Sequence, residues 1–399
     1  MPDDQSRSTE EHDMLRSMIR DWTQEFVEPQ AHEFDKNEKF NIDLLRDMGE
    51  LGLLGISAQE EYGGSNLDAL ACVIVHEELS YSDPGFALAY LAHSMLFVNN
   101  FAHNANEEQK TRVLPKVCSG EWIGAMAMSE PDAGTDVLGL STTAVKQDDG
   151  TYVLNGRKMW ITNGCLDDDG TPADVVLVYA KTGEDEAGRI QISTFLIEAG
   201  MVGYSVGQKI MDKTGMRASN TAELVFDNCI VPAANLIGEE GQSMVHMMGN
   251  LELERLTLAA MSLGIARRCL HEMNKYATER TAFGQSIRDF GQIQRYIGDS
   301  WAKYRAMRAY IYDTANCYTI GSSGQRLDSD GVKLFASVGA KEIADAAMQV
   351  MGGYGYVAEY HVERLWRDSK LLEIGGGTLE SHQKNITRDL MKSPESINE

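Results

Sequence analysis

The stretch SMVHMMGNLELERLTLAAMSLGIARRCLHEMNKYATER, residues 243–280, keeps its apolar residues three or four apart and contains no proline. Apolar residues at that spacing form one face of an α-helix, and a proline would interrupt the helix. The chain has no proline at all between Pro232 and Pro394. These features predict a helical domain over residues 237–399.

The sequence immediately upstream has a different texture. After Trp122, short alternating runs are separated by Gly, Asp and Asn: TYVLNG, KMWIT, ADVVLVYA, IQISTFLIE and TAELVFD. Such runs, bounded by turn residues, are typical of β-strands. They predict an antiparallel β-domain over residues 125–236.

The first part of the chain is again helical in pattern. EEHDMLRSMIRDWTQEFV carries its large apolar residues on one stripe, and later segments repeat that spacing, so residues 1–124 are predicted to be an N-terminal helical domain. The order α, β, α lacks the alternating βαβ units of a doubly wound sheet, which predicts an α+β fold. No GxGxxG follows a strand, which argues against a Rossmann nucleotide site.

Composition excludes several classes of partner. Sixty acidic residues against 36 basic ones give a net charge of -24, which disfavours nucleic acid and anionic membranes. The six cysteines form no CxxC pair, so we expect no metal site. No apolar run approaches the roughly 18 to 20 residues of a membrane span. The N-terminus, MPDDQSRSTEEHDML, is too acidic for a signal or transit peptide, and we expect a soluble, cytoplasmic protein without membrane insertion.

Four stretches combine residue types that suit ligand binding. AMAMSEPDAGTDV (125–137) turns from a strand into a small-residue loop with hydroxyls, and KMWITNG (158–164) places an aromatic ring beside a hydroxyl. RTAFGQSIRDF (280–290) sets a guanidinium near an aromatic ring, which suits a phosphate beside a flat ring. LLEIGGGTLE (371–380) leaves bare backbone that a non-protein group could approach. Taken alone, each also fits a turn, a core tryptophan or a surface arginine.

Taken in order, these stretches resemble the acyl-CoA dehydrogenase family over nearly the whole chain, and most closely its isovaleryl-CoA dehydrogenase branch. The resemblance rests on AHS (92–94), AMSEPDAGTDV, KMWITNG, GMRASNT, LELERL, RTAFGQ, MGGYGY and EIGGGT. It implies an N-terminal helical domain, a middle β-barrel-like domain and a C-terminal four-helix bundle, assembled as a homotetramer with FAD between domains and subunits. It also implies an oxidoreductase that converts an acyl-CoA to the trans-2-enoyl-CoA and passes electrons to an electron-transfer flavoprotein.

The resemblance also indicates which residue removes the α-proton. Many family members place the basic Glu in the segment that reads GGGT here, where this chain has Gly376. The isovaleryl and long-chain branches place it on a helix, in the motif that reads LELERL, and this assigns the base to Glu254. Glu252 and Glu254 lie about 200° apart around a helix, so they cannot share a face. That spacing alone does not say which carboxylate faces the substrate.

The remaining site residues are carried over by resemblance. The cofactor is expected to contact Met126, Met128, Ser129, Trp160, Ile161, Thr162, Arg280, Phe283, Gln349, Gly352, Gly353, Thr378 and Glu380. The substrate is expected to contact Leu88, Ala92, Thr135, Glu252, Arg255, Gly376 and Gly377. Arg280 and Phe283 would reach FAD in an adjacent subunit. One departure is Gly291, which stands where the family has a FAD-contacting glutamine; either Gln292 compensates or the contact is lost.

The choice of substrate stays open between related thioesters. Leu88 and Ala92 match pocket positions of the isovaleryl branch, whereas Leu91 and Met95 depart from it. One methylene is worth only about 1 to 3 kcal/mol of discrimination, so such exchanges retune preference without changing chemistry. A short branched acyl-CoA is the first hypothesis and a straight short or medium chain the second. A family member that binds acyl-CoA or flavin without dehydrogenation is the alternative of a different class.

Overall fold

The computed structural model describes residues 9–322 and 324–397, apart from the side chains at 245 and 246. Its N-terminal part is helical, as the sequence predicts. Helix starts are capped by side chains: Asp83 accepts hydrogen bonds from the N–H groups of Gly85 and Phe86, with Pro84 at the first helical position. The α-helices of this part are Glu10–Trp22 (α1), Ala31–Asn37 (α2), Ile42–Asp47 (α3), Ala69–Ser82 (α4), Pro84–Leu91 (α5), Asn100–Asn104 (α6) and Glu107–Cys118 (α7).

Two π-helical segments, Thr23–Val27 and Ala92–Asn99, continue α1 and α5, and short 3-10 turns link other elements. Nearly every residue of α4 is buried, and its buried acidic residues Glu77 and Glu78 form ion pairs with Arg16 and Arg267. The N-terminal part therefore packs closely against the rest of the chain. No helix in the described part of the chain is long and apolar enough to cross a membrane.

The middle part is one eight-stranded sheet. Its strands are Gly124–Ala127 (β1), Thr143–Lys146 (β2), Tyr152–Thr162 (β3), Val175–Glu184 (β4), Ile190–Glu198 (β5), Tyr204–Lys209 (β6), Thr221–Val231 (β7) and Leu236–Ile237 (β8). They lie in the order β6-β7-β3-β2-β4-β5-β8, with β1 beside β4. The sheet is antiparallel except that β1 and β2 both run parallel to β4. Alternating sequence patterns report the faces of a strand and not its direction, so these two pairings were not predicted.

The C-terminal part is helical, as predicted. Its α-helices are Ser243–Glu279 (α8), Gly291–Cys317 (α9), Arg326–Met351 (α10), His361–Leu372 (α11) and Leu379–Lys392 (α12). A two-strand hairpin, Thr281–Ala282 (β9) with Gln285–Ser286 (β10), follows α8. Helices α8 to α11 pack against one another and α12 packs on α10, which agrees with a four-helix bundle carrying one further helix.

The long helix α8 connects the parts of the fold. It packs against α4 of the N-terminal part and against α10 of the bundle, and it also contacts β5. Leu253, Leu256 and Ala260 are buried along it, which follows from their spacing of three or four residues. The three glycines at 375–377 lie in the turn between α11 and α12, and this turn packs beside α8.

Candidate active site

Glu254 of α8 faces the glycine turn between α11 and α12. Only 6% of Glu254 is exposed, and its Oε2 has no hydrogen-bond partner among the described residues. A Cβ atom built on Gly376 would lie 3.4 Å from Glu254 Oε1 and would overlap the side chain of Leu258. Gly376 also has φ +65°, a conformation that glycine adopts without strain. The absence of a side chain at Gly376 therefore lets the backbone of the turn approach both Leu258 and the carboxylate closely.

Burial sets the protonation behaviour of this carboxyl group. Loss of solvent raises the pKa of Glu254 to about 7, while the positive charges of Arg255 and Lys333 oppose that rise. A carboxyl group with a pKa near neutrality is suited to accept a proton at physiological pH. Among described residues, the site combines a carboxylate oxygen without a hydrogen-bond partner, a raised pKa and the bare backbone of Gly376.

Glu252 lies on a different side of α8, as the 200° separation predicts. Its carboxylate accepts a hydrogen bond from the N–H of Gln325 at 3.1 Å, in the connection between α9 and α10. Burial raises the pKa of Glu252, against the effects of this hydrogen bond and of Arg255. Glu252 therefore holds a loop in this structure, and its expected contact with substrate stays a prediction.

Arg255 forms an ion pair with a buried acidic residue. Its guanidinium forms a 3.1 Å ion pair with Asp330 of α10, and only 11% of its side chain is exposed. Asp330 also contacts the ring of His382 on α12. The other ring nitrogen of His382 contacts the carbonyl oxygen of Gly377, and Lys333 donates a hydrogen bond to the same oxygen. None of Asp330, Lys333 and His382 was predicted from the sequence to be a site residue. The available signal was the spacing of Ser329, Asp330, Lys333 and Ser337 along one side of a helix otherwise rich in alanine and valine.

The ends of β1 and β3 bring a second group of expected site residues together. The N–H of Met159 donates to the carbonyl of Ser129 at 2.9 Å, and buried Lys158 donates to the carbonyl of Met128 at 3.0 Å. Lys158 also forms a buried ion pair with Glu130 at 2.9 Å. These contacts fix the strand-to-loop segment that carries the expected cofactor contacts Met126, Met128 and Ser129.

Trp160 occupies an irregular position on β3. It has φ +66° at a register shift between β3 and β7, and 61% of the residue is exposed. A bulge of this kind re-aims a side chain, and here it turns an indole ring outwards. Ile161 next to it is only 3% exposed and packs into the main core, so its side chain is turned away and only its backbone is available to a ligand. Thr162 is half-buried.

Other expected substrate contacts lie on separate elements. Leu88 on α5 is half-buried and Ala92, at the start of the π-helical segment, is buried, whereas Thr135 lies exposed in the loop after β1. Thr378 caps α12 by accepting a hydrogen bond from the N–H of Ser381. Exposed Glu380 follows in the first turn of α12.

A further group of expected cofactor residues gathers at the outer face of the bundle. Arg280, Gly352 and Gly353 line a cavity of about 560 Å³, and Gln349 joins the two glycines in lining a neighbouring one of about 690 Å³. Neither lining includes Glu254 or the glycine turn. Phe283 is 97% exposed, and Gly291 begins α9 in open space. This group forms a surface separate from the site around Glu254.

Comparisons with known proteins agree with this architecture. Three family models match in chain order: the N-terminal domain of acyl-CoA dehydrogenase at residues 9–121, its middle domain at 125–229 and its C-terminal domain at 242–391. The chain belongs to the acyl-CoA dehydrogenase family. This acyl-CoA dehydrogenase is 42% identical to a mitochondrial isovaleryl-CoA dehydrogenase of Arabidopsis thaliana, over 95% of this chain and 90% of that protein. It is 43% identical to the Bos taurus protein of the same name, over 95% of this chain and 88% of that one.

Solved structures are similar over almost the full length. Butyryl-CoA dehydrogenase from Megasphaera elsdenii superposes with a TM-score of 0.91 at 34% identity, covering 96% of this chain and 99% of the other. A chain in a structure described as the electron transferring flavoprotein of Acidaminococcus fermentans gives a TM-score of 0.90 at 36% identity, with 97% and 100% covered. An acyl-CoA dehydrogenase complexed with FAD from Bacillus anthracis gives 0.88 at 30% identity, with 98% and 68% covered. The chain is therefore an oxidoreductase of the acyl-CoA dehydrogenase family.

Proposed function

We propose that this chain is an FAD-dependent dehydrogenase of a short branched acyl-CoA, with Glu254 as the base that removes the α-proton. One observation carries the proposal: a buried carboxylate with an unpaired oxygen faces the bare backbone of Gly376. Burying a charged group without a partner is costly, so such a group is expected where chemistry requires it. Loss of the α-proton and of a hydride from the β-carbon gives a 2-enoyl-CoA, and the family resemblance implies its trans form.

The residues around Glu254 have separate tasks in this reaction. Glu254 accepts the α-proton, and its raised pKa places it near the operating pH, where proton transfer is most efficient. As the proton leaves, negative charge develops on the thioester oxygen. The N–H of Gly376 is the donor that we assign to this oxygen, because backbone donors fixed before reaction stabilise such charge effectively.

The residues at the ends of β1 and β3 fit a flat cofactor. Exposed Trp160 offers a ring, Met126 and Met128 are half-buried with Ser129 beside them, and Thr162 offers a hydroxyl. When bound, FAD supplies the acceptor for the hydride. Thr378 and Glu380 would complete this side of the site.

The outer group of residues supports a cofactor contact between subunits. Phe283, almost fully exposed, suits a surface that another copy covers, and Arg280 beside it suits a phosphate. Together with Gln349, Gly352 and Gly353, this group would reach FAD in an adjacent subunit of a homotetramer. Gln292 remains the candidate to replace the glutamine absent at Gly291.

The substrate and the electron acceptor are proposed from the relatives. The isovaleryl-CoA dehydrogenases at 42% and 43% identity support a short branched chain, and the butyryl-CoA dehydrogenase structure supports a straight short chain as the second candidate. Electron-transfer flavoprotein is proposed as the acceptor because the family resemblance implies it, and a chain in a structure of that title is similar to this one. A cytoplasmic location remains a prediction.

Anaerobic titration tests the proposal. We expect the purified protein to be yellow and to be bleached by isovaleryl-CoA more rapidly than by butyryl-CoA or octanoyl-CoA. Faster bleaching by butyryl-CoA would favour the straight-chain alternative. Stable yellow colour with every thioester would contradict dehydrogenation and favour a member that only binds.

A further inference from the structure

A buried cluster beneath the glycine turn holds one backbone carbonyl from two sides. Lys333 Nζ of α10 donates a hydrogen bond to the Gly377 carbonyl at 2.6 Å, and His382 Nε2 of α12 contacts the same oxygen at 3.0 Å. Neither Lys333 nor His382 has any exposed surface. Because a carbonyl only accepts, Nε2 of His382 carries a hydrogen. Side chains of α10 and α12 therefore both hold the glycine turn beside Glu254 in place.

The second nitrogen of His382 meets an acid. Nδ1 lies 2.6 Å from Asp330 Oδ1, and the same oxygen forms the ion pair with Arg255. With Nε2–H committed to Gly377, this short contact needs one proton shared between Nδ1 and Oδ1. Burial lowers the pKa of His382, while Asp330 opposes that effect. The His382–Asp330 pair therefore connects α12 to α10, and through Asp330 it also connects both helices to Arg255, the residue after Glu254.

Lys333 also acts through its charge. Its environment contains the charged groups Glu254, Arg255, Asp330 and Glu373. Burial lowers the pKa of Lys333 to about 8, although the acids among these groups favour its charged form. The same Lys333 appears with Arg255 among the positive charges that favour ionised Glu254. Of the two, Lys333 alone also bonds to the turn.

The turn itself has little intrinsic rigidity. Gly376 and Gly377 have φ angles of +65° and +104°, and glycine explores more backbone conformations than any other residue. The close approach of the backbone to Glu254 and the direction of the Gly376 N–H both depend on this turn. An external anchor is therefore needed to keep it in one conformation.

We propose that Lys333 is a positioning residue for the dehydrogenation, fixing the glycine turn through the Gly377 carbonyl and placing a positive charge near Glu254, with the His382–Asp330 pair as the second anchor. This inference rests on the proposed role of Glu254. It assigns no direct contact with substrate to Lys333.

The test compares Lys333→Met and Lys333→Arg holoenzymes with wild type in anaerobic rapid mixing with isovaleryl-CoA across pH. Removing the cation makes Glu254 harder to ionise, so Lys333→Met should move the midpoint of the pH–rate profile upwards by about one unit or more. The limiting bleaching rate should also fall about tenfold or more, because the turn loses an anchor. Lys333→Arg should keep the midpoint near the wild-type value. Lys341→Met is the matched control, since Lys341 lies on the same helix and pairs with Asp345 near the surface.

A purely structural role for Lys333 predicts a different pattern. Thermal stability would then fall while the midpoint of the pH–rate profile stayed at the wild-type value, and that result would overturn the proposal. If Lys333→Met does not fold, His382→Gln supplies the test: it keeps the cation, so the rate should fall several-fold with an unchanged midpoint. A wild-type rate in His382→Gln would refute the anchor.

The two levels of inference fail separately. Bleaching of wild type together with activity in a Glu254→Gln variant would remove the proposed base. Bleaching of wild type, loss in Glu254→Gln and an unaltered pH profile in Lys333→Met would remove only the role of Lys333.

Discussion

Replacing Glu254 by Gln should change how the stability of the protein depends on pH. Burial raises the pKa of Glu254 from 4.5 to about 7, so the folded protein holds this proton more tightly than the unfolded chain. The stabilisation is fully present below about pH 4.5 and is lost as pH rises through about 7. Each pH unit between the two values corresponds to about 1.4 kcal/mol, so ionising the buried group costs about 3 kcal/mol. Glutamine carries no charge at any pH and escapes this cost.

The assay is thermal unfolding of both holoenzymes, with excess FAD, at steps between about pH 4.5 and 8. For a chain of this length, about 3 kcal/mol corresponds to a Tm difference of about 4 °C. The Tm of Glu254→Gln relative to wild type should therefore rise by about 4 °C across this range. Titrating groups that do not interact with Glu254 contribute equally to both proteins and cancel in the difference. Lys333 does interact with it, but its pKa of about 8 lies at the upper end of the pH range. Parallel Tm curves would refute the assignment of a neutral-range pKa to this carboxyl group.

Three further changes test other parts of the structure. Gly376→Ala should lower both the bleaching rate and the Tm, because the new Cβ would overlap Leu258 and alanine would be strained at the positive φ of this position. The combined cost is about 2 to 4 kcal/mol of stability. An unchanged Tm and bleaching rate would contradict the close approach of Gly376 to Leu258 and Glu254. Trp160→Ala should weaken FAD retention about tenfold with unchanged far-UV circular dichroism, measured by ultrafiltration, because an exposed ring supplies contact area; full retention would remove Trp160 from the cofactor site. Lys158→Met should lower the free energy of unfolding by about 1.5 to 3 kcal/mol in denaturant titration, because Glu130 loses its ion pair and keeps only the hydrogen bonds from Ser141 and Thr142. A smaller loss in the Lys158→Met, Glu130→Gln double variant is the expected control result, and equal losses would count against the pair.

Local sequence pattern predicted the order of helical and β parts because apolar spacing follows secondary structure directly. The separation of Glu252 and Glu254 was likewise available from helical geometry, and the structure places them on different sides of α8. The relative direction of neighbouring strands could not be predicted from the sequence, because β1 and β4 are separated by nearly 50 residues and their parallel pairing forms only in the folded protein. Alternation in a strand is the same whichever way its neighbour runs.

The cluster beneath the glycine turn could not be predicted from the sequence, for a related reason. Asp330, Lys333 and His382 come from two helices and meet a carbonyl in the turn before α12. Each alone resembles an ordinary charged residue of a helix, and a lone buried histidine indicates no particular role. Their function depends on tertiary contacts with Gly377 and on their nearness to Glu254. The bulge that exposes Trp160 was hidden in the same way, because it arises from a register shift against β7.

The most direct test of the central claim is the rate of anaerobic flavin bleaching by isovaleryl-CoA in Glu254→Gln holoenzyme at about pH 8, above the pKa of the base. Glu272→Gln, on the same helix and ion-paired with Arg268, is the matched control and should react like wild type. We expect a loss of about a thousandfold or more in Glu254→Gln with FAD still bound, because the α-proton then has no other acceptor. Bleaching within a few-fold of the wild-type rate would contradict the claim that this buried carboxylate takes the α-proton.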